Sequence, residues 1–138
     1  IGGGQGGMAL PGDLFLPGFA AHPERLAGGA ARLGRYIAND QATTVLNLRS
    51  AHRAVAGGAP GPEGNVTKLV LSANMTEAAA MLVELTGPDA AFFDLPGVMA
   101  GTLALMHRAM SIAGGTSEIK RNQIGERILG LPRDPLIR

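Results

Sequence analysis

Glycine and proline divide this sequence into apolar segments, and that punctuation constrains its fold more than any other feature. The stops lie at Gly57-Gly58, Ala59-Pro60-Gly61-Pro62, Gly87-Pro88 and Gly114-Gly115. Both residue types disfavour a helix interior, so helices end at such positions. The intervals carry apolar residues at spacings of three and four, which indicates amphipathic helices. The sequence therefore predicts an all-α fold, an up-and-down four-helix bundle.

The stops also predict where each helix begins and ends. We expect helices from Pro23 to the glycines at 57–58, from about Glu63 to Thr86, from about Leu95-Pro96 to Ile112, and from Thr116 or Ser117 to Gly130. Residues 1–22 are rich in glycine and are predicted as a loop, 23–133 as the bundle, and 134–138 as a short tail. The early glycines lack the Lys-Ser/Thr that follows a phosphate loop, so we assign them no such role.

The apolar periodicity predicts which face of each helix is buried. The predicted stripes are Leu26, Ala30, Leu33, Ile37, Thr44, Leu48, Ala51 and Val55 in the first helix, Val66, Leu69, Val70, Ala73, Ala80, Met81 and Leu85 in the second, and Val98, Met99, Leu103, Met106 and Met110 in the third. Most arginines of the first helix, Arg32 and Arg35 among them, fall off its stripe and are expected in solvent. Glu77 and Glu84 share one side of their helix, which indicates a solvated face or a salt bridge.

Composition excludes several classes of function. The formal net charge is +1, so the bulk field gives no reason to expect nucleic acid as a partner. The chain has no cysteine and its three histidines lack metal spacing, so we expect no disulfide and no metal site, and a reducing, cytoplasmic location. No uninterrupted apolar run reaches the length of a membrane span. The chain begins with Ile1, and we expect it to be a piece of a larger protein.

The last segment has unusually clear helix signals. Gly114 and Gly115 permit positive φ, Thr116 or Ser117 can cap the helix, and Glu118 falls in its first turn. Gly130 suits the residue after the helix, with Pro132 beyond it. An ordinary capped helix is one interpretation. A phosphate or pyrophosphate site at the helix N-terminus is the other.

Three stretches resemble the C-terminal domain of the acyl-CoA dehydrogenases, the flavoenzymes that desaturate acyl-CoA thioesters. The segment 114–133 reads GGTSEIKRNQIGERILGLPR and resembles the C-terminal signature of that family. The segment 58–69 is similar to its Pro-Gly-x-Glu segment ending in Lys-Leu, and 82–88 resembles its Leu-Leu-Gly-Pro segment. That domain is a helical bundle, so the resemblance and the predicted fold agree.

The resemblance implies a set of FAD contacts. It places Gly115, Thr116 and Glu118 on the flavin, and Gly87 near the adenosine half of a flavin held by the neighbouring subunit. Val83 stands where better-known members have Gln. Arg35 is similar in position to a flavin-contacting Arg of the family.

The resemblance also implies a mechanism. In the family a carboxylate removes the proton α to the thioester carbonyl while the β-hydride passes to flavin N5. One branch places this Glu directly before Gly-Thr, where this chain has Gly114. Another branch supplies it shortly before an Ile-Gly pair like the one at Ile1-Gly2. We therefore assign no catalytic residue in this chain. We expect the catalytic base to lie on an upstream segment or on a partner chain, or to be absent.

The leading hypothesis is the FAD-contacting and oligomerisation domain of an acyl-CoA dehydrogenase, inactive as a fragment. The implied partners are the acyl-CoA substrate, other dehydrogenase subunits in a dimer or tetramer, and an electron-transfer flavoprotein. A second hypothesis is a non-catalytic structural subunit or relic bundle that assembles with a complete dehydrogenase chain; Gly114 and Val83 favour it. A helical interaction domain unrelated to flavin is the third.

Overall fold

The structure is a computed structural model, and it describes residues 10–59, 61, 63–94 and 97–133. The described ranges contain helices and no strand. The α-helices are α1 (Leu16–Ala21), α2 (Gly29–Val55), α3 (Glu63–Thr86), α4 (Val98–Ile112) and α5 (Ser117–Arg127), with short 3₁₀ helices at Gly12–Phe15, Pro23–Arg25 and Gly87–Ala91. The predictions for the first nine residues, for Leu95-Pro96 and for the tail 134–138 fall outside the described residues.

Helices α2 to α5 form the predicted bundle, with α3 in contact with the other three. The start of α2 lies beside the end of α3, because Arg25 Nη1 donates to the carbonyl of Leu85 at 3.1 Å. The start of α3 lies beside the end of α4, where Lys68 Nζ donates to the carbonyl of Ser111 at 2.8 Å. Successive long helices therefore run in opposite directions, and the all-α, up-and-down architecture is confirmed.

The prediction of a loop before residue 23 is wrong for its described part. The 3₁₀ helix Gly12–Phe15 and α1 occupy this stretch, and the side chain of Phe15 is buried. Tyr36 Oη donates to the carbonyl of Leu10 at 2.6 Å, and the Phe15 and Tyr36 rings pack edge to face with centroids 5.1 Å apart. Contacts with α2, rather than local propensity, order this glycine-rich segment.

The first long helix starts later than the sequence predicts. Pro23–Arg25 forms a separate 3₁₀ helix, Leu26 is extended, and Gly28 has a φ of 81°, so α2 begins at Gly29. The kink carries the buried Leu26 into the core while Ala27 N donates to Glu84 Oε2 at 2.9 Å. The ends of the three longest helices, at Val55, Thr86 and Ile112, agree with the predicted stops.

The hydrophobic core lies mainly between α3, the first half of α2 and the segment before α2. Its buried hydrophobic residues are Phe15, Leu26, Leu33, Tyr36, Met75, Ala78, Ala79, Met81, Leu85 and Ala100. On α4 the buried positions are Ala100 and Gly101. The predicted α4 stripe is therefore wrong: Met99 and Met106 are more than half exposed, and Leu103 and Met110 are only partly buried. Gly101 lies against the segment that precedes α4, since a Cβ there would lie 3.4 Å from the carbonyl oxygen of Ala90 and from the Phe93 ring.

The prediction for the second helix is also only partly right. Met81 and Leu85 are buried as expected, whereas Val66 and Ala73 are exposed. One reason is that α3 has neighbours on several sides, so a single apolar stripe does not describe its buried surface.

A charge cluster joins α2 to α3, and it corrects the expectation that Arg32 lies in solvent. Arg32 Nε donates to Glu77 Oε1, and Arg32 Nη1 donates to both oxygens of Glu84 at 2.9 Å. The Arg32 side chain is 16% exposed. The pKa of Arg32 is raised, first by the hydrogen bond to Glu77 and then by the hydrogen bond to Glu84, while burial of the guanidinium acts in the opposite direction. The two carboxylates form an internal salt bridge with one arginine.

One helical stretch, Gly64–Ala91, is long and apolar enough to cross a membrane by length and composition alone. The expectation that the chain has no membrane span stays a prediction. The same composition suits a helix that contacts three others in a bundle, and α3 contributes the Glu77 and Glu84 carboxylates to the cluster just described.

Gly12 should not tolerate a side chain. A Cβ there would lie 2.6 Å from Ile37 Cγ1 and 3.2 Å from Ile37 Cα, so Gly12→Ala should destabilise the fold by about 1–3 kcal/mol. The matched control is Gly34→Ala on α2, where a Cβ would meet nothing within 4 Å. Gly34→Ala should stabilise the chain by up to about 1 kcal/mol. Urea unfolding measures both, and equal effects of the two substitutions would contradict the packing described here.

Arg32 should contribute more to stability than the other arginines of α2. Arg32→Gln leaves two partly buried carboxylates without their cation, and it should lower the free energy of unfolding by about 2–4 kcal/mol. Arg49→Gln removes an exposed guanidinium from the same helix and should change stability by less than about 0.5 kcal/mol. Urea unfolding at neutral pH compares them, and an Arg32→Gln effect as small as the control would refute the assigned salt bridge.

Candidate functional site

The turn between α4 and α5 has the geometry that its sequence predicts. Gly114 and Gly115 have φ angles of 72° and 103°, in the left-handed region that favours glycine. Thr116 is the N-cap of α5, and its hydroxyl accepts a hydrogen bond from Ile119 N at 3.4 Å. At the other end Gly130 has a φ of 67°, and Leu131 N donates to the carbonyl of Gly125. The predicted cap at Thr116 and the predicted positive φ angles at Gly114, Gly115 and Gly130 are confirmed.

Glu118 lies in the first turn of α5 as an exposed carboxylate. A hydrogen bond from its own backbone N–H lowers the pKa of Glu118, and the Thr116 hydroxyl, Arg121 and Lys68 lower it further. Arg121 Nη1 lies 3.9 Å from Glu118 Oε1. A carboxylate held in its charged form in this way stabilises the helix start but is a weak proton acceptor.

A cavity of about 610 Å³ opens where α2 ends, α3 begins, α4 ends and α5 begins. It is lined by Asn47, Ser50, Arg53, Ala54, Gly58, Ala59, Gly61, Gly64, Asn65, Thr67, Lys68, Leu71, Ser72, Met110, Ala113, Gly114 and Lys120. We call it the turn cavity. Its rim is built from glycine and alanine, and its volume is in the range of small-molecule sites.

The charged side chains among the described lining residues of the turn cavity are cations. Arg53, Lys68 and Lys120 come from three different helices, and no carboxylate is among the lining residues that the structure describes. Lys68 and Lys120 are the only lysines of the chain. Lys120 folds back over the turn, so that a Cβ on Gly115 would lie 3.5 Å from Lys120 Cε. These cations were not predicted as site residues, although both lysines lie in segments that carry the family resemblance.

The other two predicted flavin contacts lie elsewhere. Gly87 follows α3 with a φ of 68°, and a Cβ there would lie 3.1 Å from Arg25 Nη1. Arg35 is exposed on α2, beside a smaller cavity whose lining includes the buried Asn74. Gly114 lines the turn cavity, but none of the five predicted flavin contacts is among its described lining residues: Gly115, Thr116 and Glu118 follow Gly114 in the turn and in α5, and Gly87 and Arg35 lie elsewhere. Within the described ranges, no group of three or more His, Asp or Glu side chains is arranged to hold a metal ion.

Comparison with known proteins decides the family. Residues 25–129 match the family described as "Acyl-CoA dehydrogenase, C-terminal domain". The chain belongs to the acyl-CoA dehydrogenase family. The match begins near the 3₁₀ helix Pro23–Arg25 and continues beyond the end of α5, so it contains the whole bundle and the turn cavity.

Two curated acyl-CoA dehydrogenases of Mycobacterium tuberculosis (strain ATCC 25618 / H37Rv) are similar to the chain. FadE34 is 36% identical over 107 residues, which is 74% of this chain and 14% of FadE34. FadE26 is 32% identical over 109 residues, 73% of this chain and 27% of FadE26. The chain thus spans a small part of these acyl-CoA dehydrogenases. No solved structure matches it significantly.

Glu118 should stabilise the chain in a pH-dependent way. Its pKa in the folded chain is below the ordinary value of 4.5, so its contribution is present above that pH and is lost as the pH falls through the folded-state pKa. The urea midpoints of the parent chain and Glu118→Gln should differ most near neutral pH and converge in acid. A difference that stays constant from about pH 7 to about pH 3 would contradict this assignment.

Proposed function

We propose that the chain is the flavin-contacting and oligomerisation domain of an acyl-CoA dehydrogenase that introduces an α,β double bond into an acyl-CoA thioester. The turn at Gly114 and Gly115, with Thr116 capping α5, is the observation that carries the proposal. It supports this function because the turn lies in the segment that resembles the family signature and opens onto a cavity.

The residues of the turn fit a flat aromatic cofactor such as FAD. In the described part of the chain, nothing lies within 4 Å of the position that a Cβ on Gly114 would occupy, so the backbone is open to close approach. Gly115 would present backbone atoms, and Thr116 its hydroxyl oxygen, to such a ring. Glu118 would act indirectly, because its carboxylate is engaged with its own backbone and with Thr116.

A bound flavin would accept the β-hydrogen of the substrate as a hydride. This chain would orient the cofactor and shield it from water. We assign the α-proton to no residue of this chain, because Gly114 has no side chain and the lowered pKa of Glu118 makes its carboxylate a weak proton acceptor. The base would belong to another part of the assembled enzyme.

Assembly with other subunits is the second part of the proposal. Large apolar side chains on α4 stay exposed, with Met99, Leu105, Met106 and Ile112 all more than half accessible. Phe92 and Phe93 are equally exposed just before α4. Apolar surface of this extent is typical of a face that a partner covers. Gly87 and Arg35 would then contact a flavin held by a neighbouring subunit, separately from the turn.

A non-catalytic subunit is the alternative that the same observations favour next. A bundle that only assembled with a complete dehydrogenase would keep the apolar α4 face and would need no carboxylate near Gly114. Flavin retention separates the two hypotheses, since only the first requires Thr116 to touch a cofactor.

Thr116→Val tests the flavin contact in a complete acyl-CoA dehydrogenase that contains this chain. The substitution keeps the shape of the side chain but removes its hydroxyl, so it should lower the ratio of flavin absorbance to protein absorbance by at least about half and cost about 1 kcal/mol of stability through the lost cap. Thr116→Ser keeps the hydroxyl and is the matched control, expected to retain flavin.

Native mass measured on the same preparations tests assembly. Full flavin content in Thr116→Val would remove the cofactor contact from the proposal. A flavin-loaded species of one subunit only would remove the oligomerisation function instead. A parent enzyme without flavin would favour the non-catalytic alternative.

A further inference from the structure

The exposed side of α4 carries two methionines among other large apolar side chains. Val98, Leu105 and Ile112 recur every seven residues, and Met99 and Met106 form a parallel row beside them. Residues seven apart share one side of a helix, because two turns bring them back to within about 20°. Met99 is 52% exposed and Met106 is 59% exposed, so both belong to the apolar surface that the proposed assembly would cover.

The other described methionines are more protected. Met75 and Met81 on α3 are 3% and 0% exposed. Met110 is partly buried and lines the turn cavity. The chain has no cysteine, so methionine supplies all of its sulfur. In the part of the chain that the structure describes, sulfur chemistry at the surface therefore falls first on Met99 and Met106.

An exposed thioether reacts with hydrogen peroxide, whereas packing shields a buried one. The sulfur lone pair attacks one peroxide oxygen, the O–O bond breaks, and the departing hydroxide takes up the remaining proton to form water. The sulfur is oxidised by two electrons to a sulfoxide, and the peroxide is reduced by the same two electrons. A dithiol reverses the change in methionine sulfoxide reductases, and the products are the thioether, a disulfide and water.

A sulfoxide changes what the side of α4 can contact. The thioether packs as an apolar group, but the sulfoxide is polar and its oxygen accepts hydrogen bonds from water. Covering that oxygen with apolar surface removes the water and supplies no donor, which is unfavourable. Sulfoxides at Met99 and Met106 would lie beside the row of Val98, Leu105 and Ile112, and they would oppose burial of the whole row.

We propose that Met99 and Met106 are a modification site, at which oxidation by hydrogen peroxide prevents another dehydrogenase subunit from covering α4. The inference rests on the proposed oligomerisation function and adds a chemical control to it. A covering subunit would exclude peroxide from both side chains. Unassembled subunits would therefore react first, and their oxidation would withdraw them from the assembly equilibrium by mass action.

The first test measures reactivity in the folded 138-residue chain. After timed exposure to hydrogen peroxide, cleavage after glutamate places Met75 on peptide 64–77, Met81 on 78–84, and the three α4 methionines on 85–118. Mass spectrometry with fragmentation then assigns each added oxygen. Met99 and Met106 should be oxidised at least about tenfold faster than Met75 and Met81. A urea-unfolded sample is the control, in which the rates should converge.

The second test measures assembly in a complete acyl-CoA dehydrogenase that contains this chain. Native mass across a dilution series should show that peroxide treatment of the dilute enzyme weakens subunit association at least roughly tenfold. The double variant Met99→Leu/Met106→Leu keeps the apolar surface without its sulfur, and it should assemble normally before and after peroxide. Met99→Gln/Met106→Gln should weaken association without peroxide, and circular dichroism checks that both variants keep their helices.

The outcomes separate this inference from the proposed function. Preferential oxidation of Met99 and Met106, loss of assembly, and its recovery after treatment with a sulfoxide reductase support the inference. Equal oxidation of Met75 and Met81, or peroxide sensitivity that persists in Met99→Leu/Met106→Leu, would overturn it. An assembled parent enzyme whose mass stays unchanged with both sulfoxides present would overturn the inference alone. A parent enzyme of one subunit before oxidation would remove the oligomerisation function, and this inference with it.

Discussion

The close approach of α3 to its neighbours is the constraint on which the rest of the bundle depends. Ala78 and Ala79 on α3 and Ala100 and Gly101 on α4 are all buried, and side chains of this size bring helix axes near together. Met99 and Leu105 on the same helix stay more than half exposed. The packing that buries the small residues therefore leaves large apolar side chains of α4 on the surface.

The two ends of the bundle differ in chemistry. At one end Arg25 donates to the last carbonyls of α3, and Arg32 binds Glu77 and Glu84, so both of these arginines have oxygen partners. At the other end three cations surround the turn cavity without a lining carboxylate in the described structure. The turn that carries the family signature lies at this second end.

Local sequence signals predicted the parts of the fold that depend on local backbone chemistry. The glycines at 87, 114, 115 and 130 all have positive φ, and Thr116 caps α5, because such positions need a missing Cβ or a nearby hydroxyl whatever the tertiary structure. These signals lie within a few residues of the feature they determine. They located the turn and the family, and with them the candidate site.

Features that depend on distant contacts were not predictable from one sequence. The segment Gly12–Ala21 is held against α2 by distant partners: Gly12 N donates to Asp40, and Tyr36 donates to the carbonyl of Leu10 just before the segment. The sequence of the segment itself does not indicate those partners. Periodicity located the apolar residues of α4 but not its buried side, where the small residues Ala100 and Gly101 lie. The cationic cavity joins residues from 47 to 120, a convergence that only the bundle creates.

The Arg32 cluster has a consequence for how the molecule opens. It ties the beginning of α2 to the end of α3, whereas the opposite end is closed by turns at Gly57 and Gly114 with few side chains to pack. Local unfolding begins where buried contacts are fewest. The helix ends near Arg32 should therefore move least when the bundle fluctuates. The opposite ends, around the turn cavity, should move most.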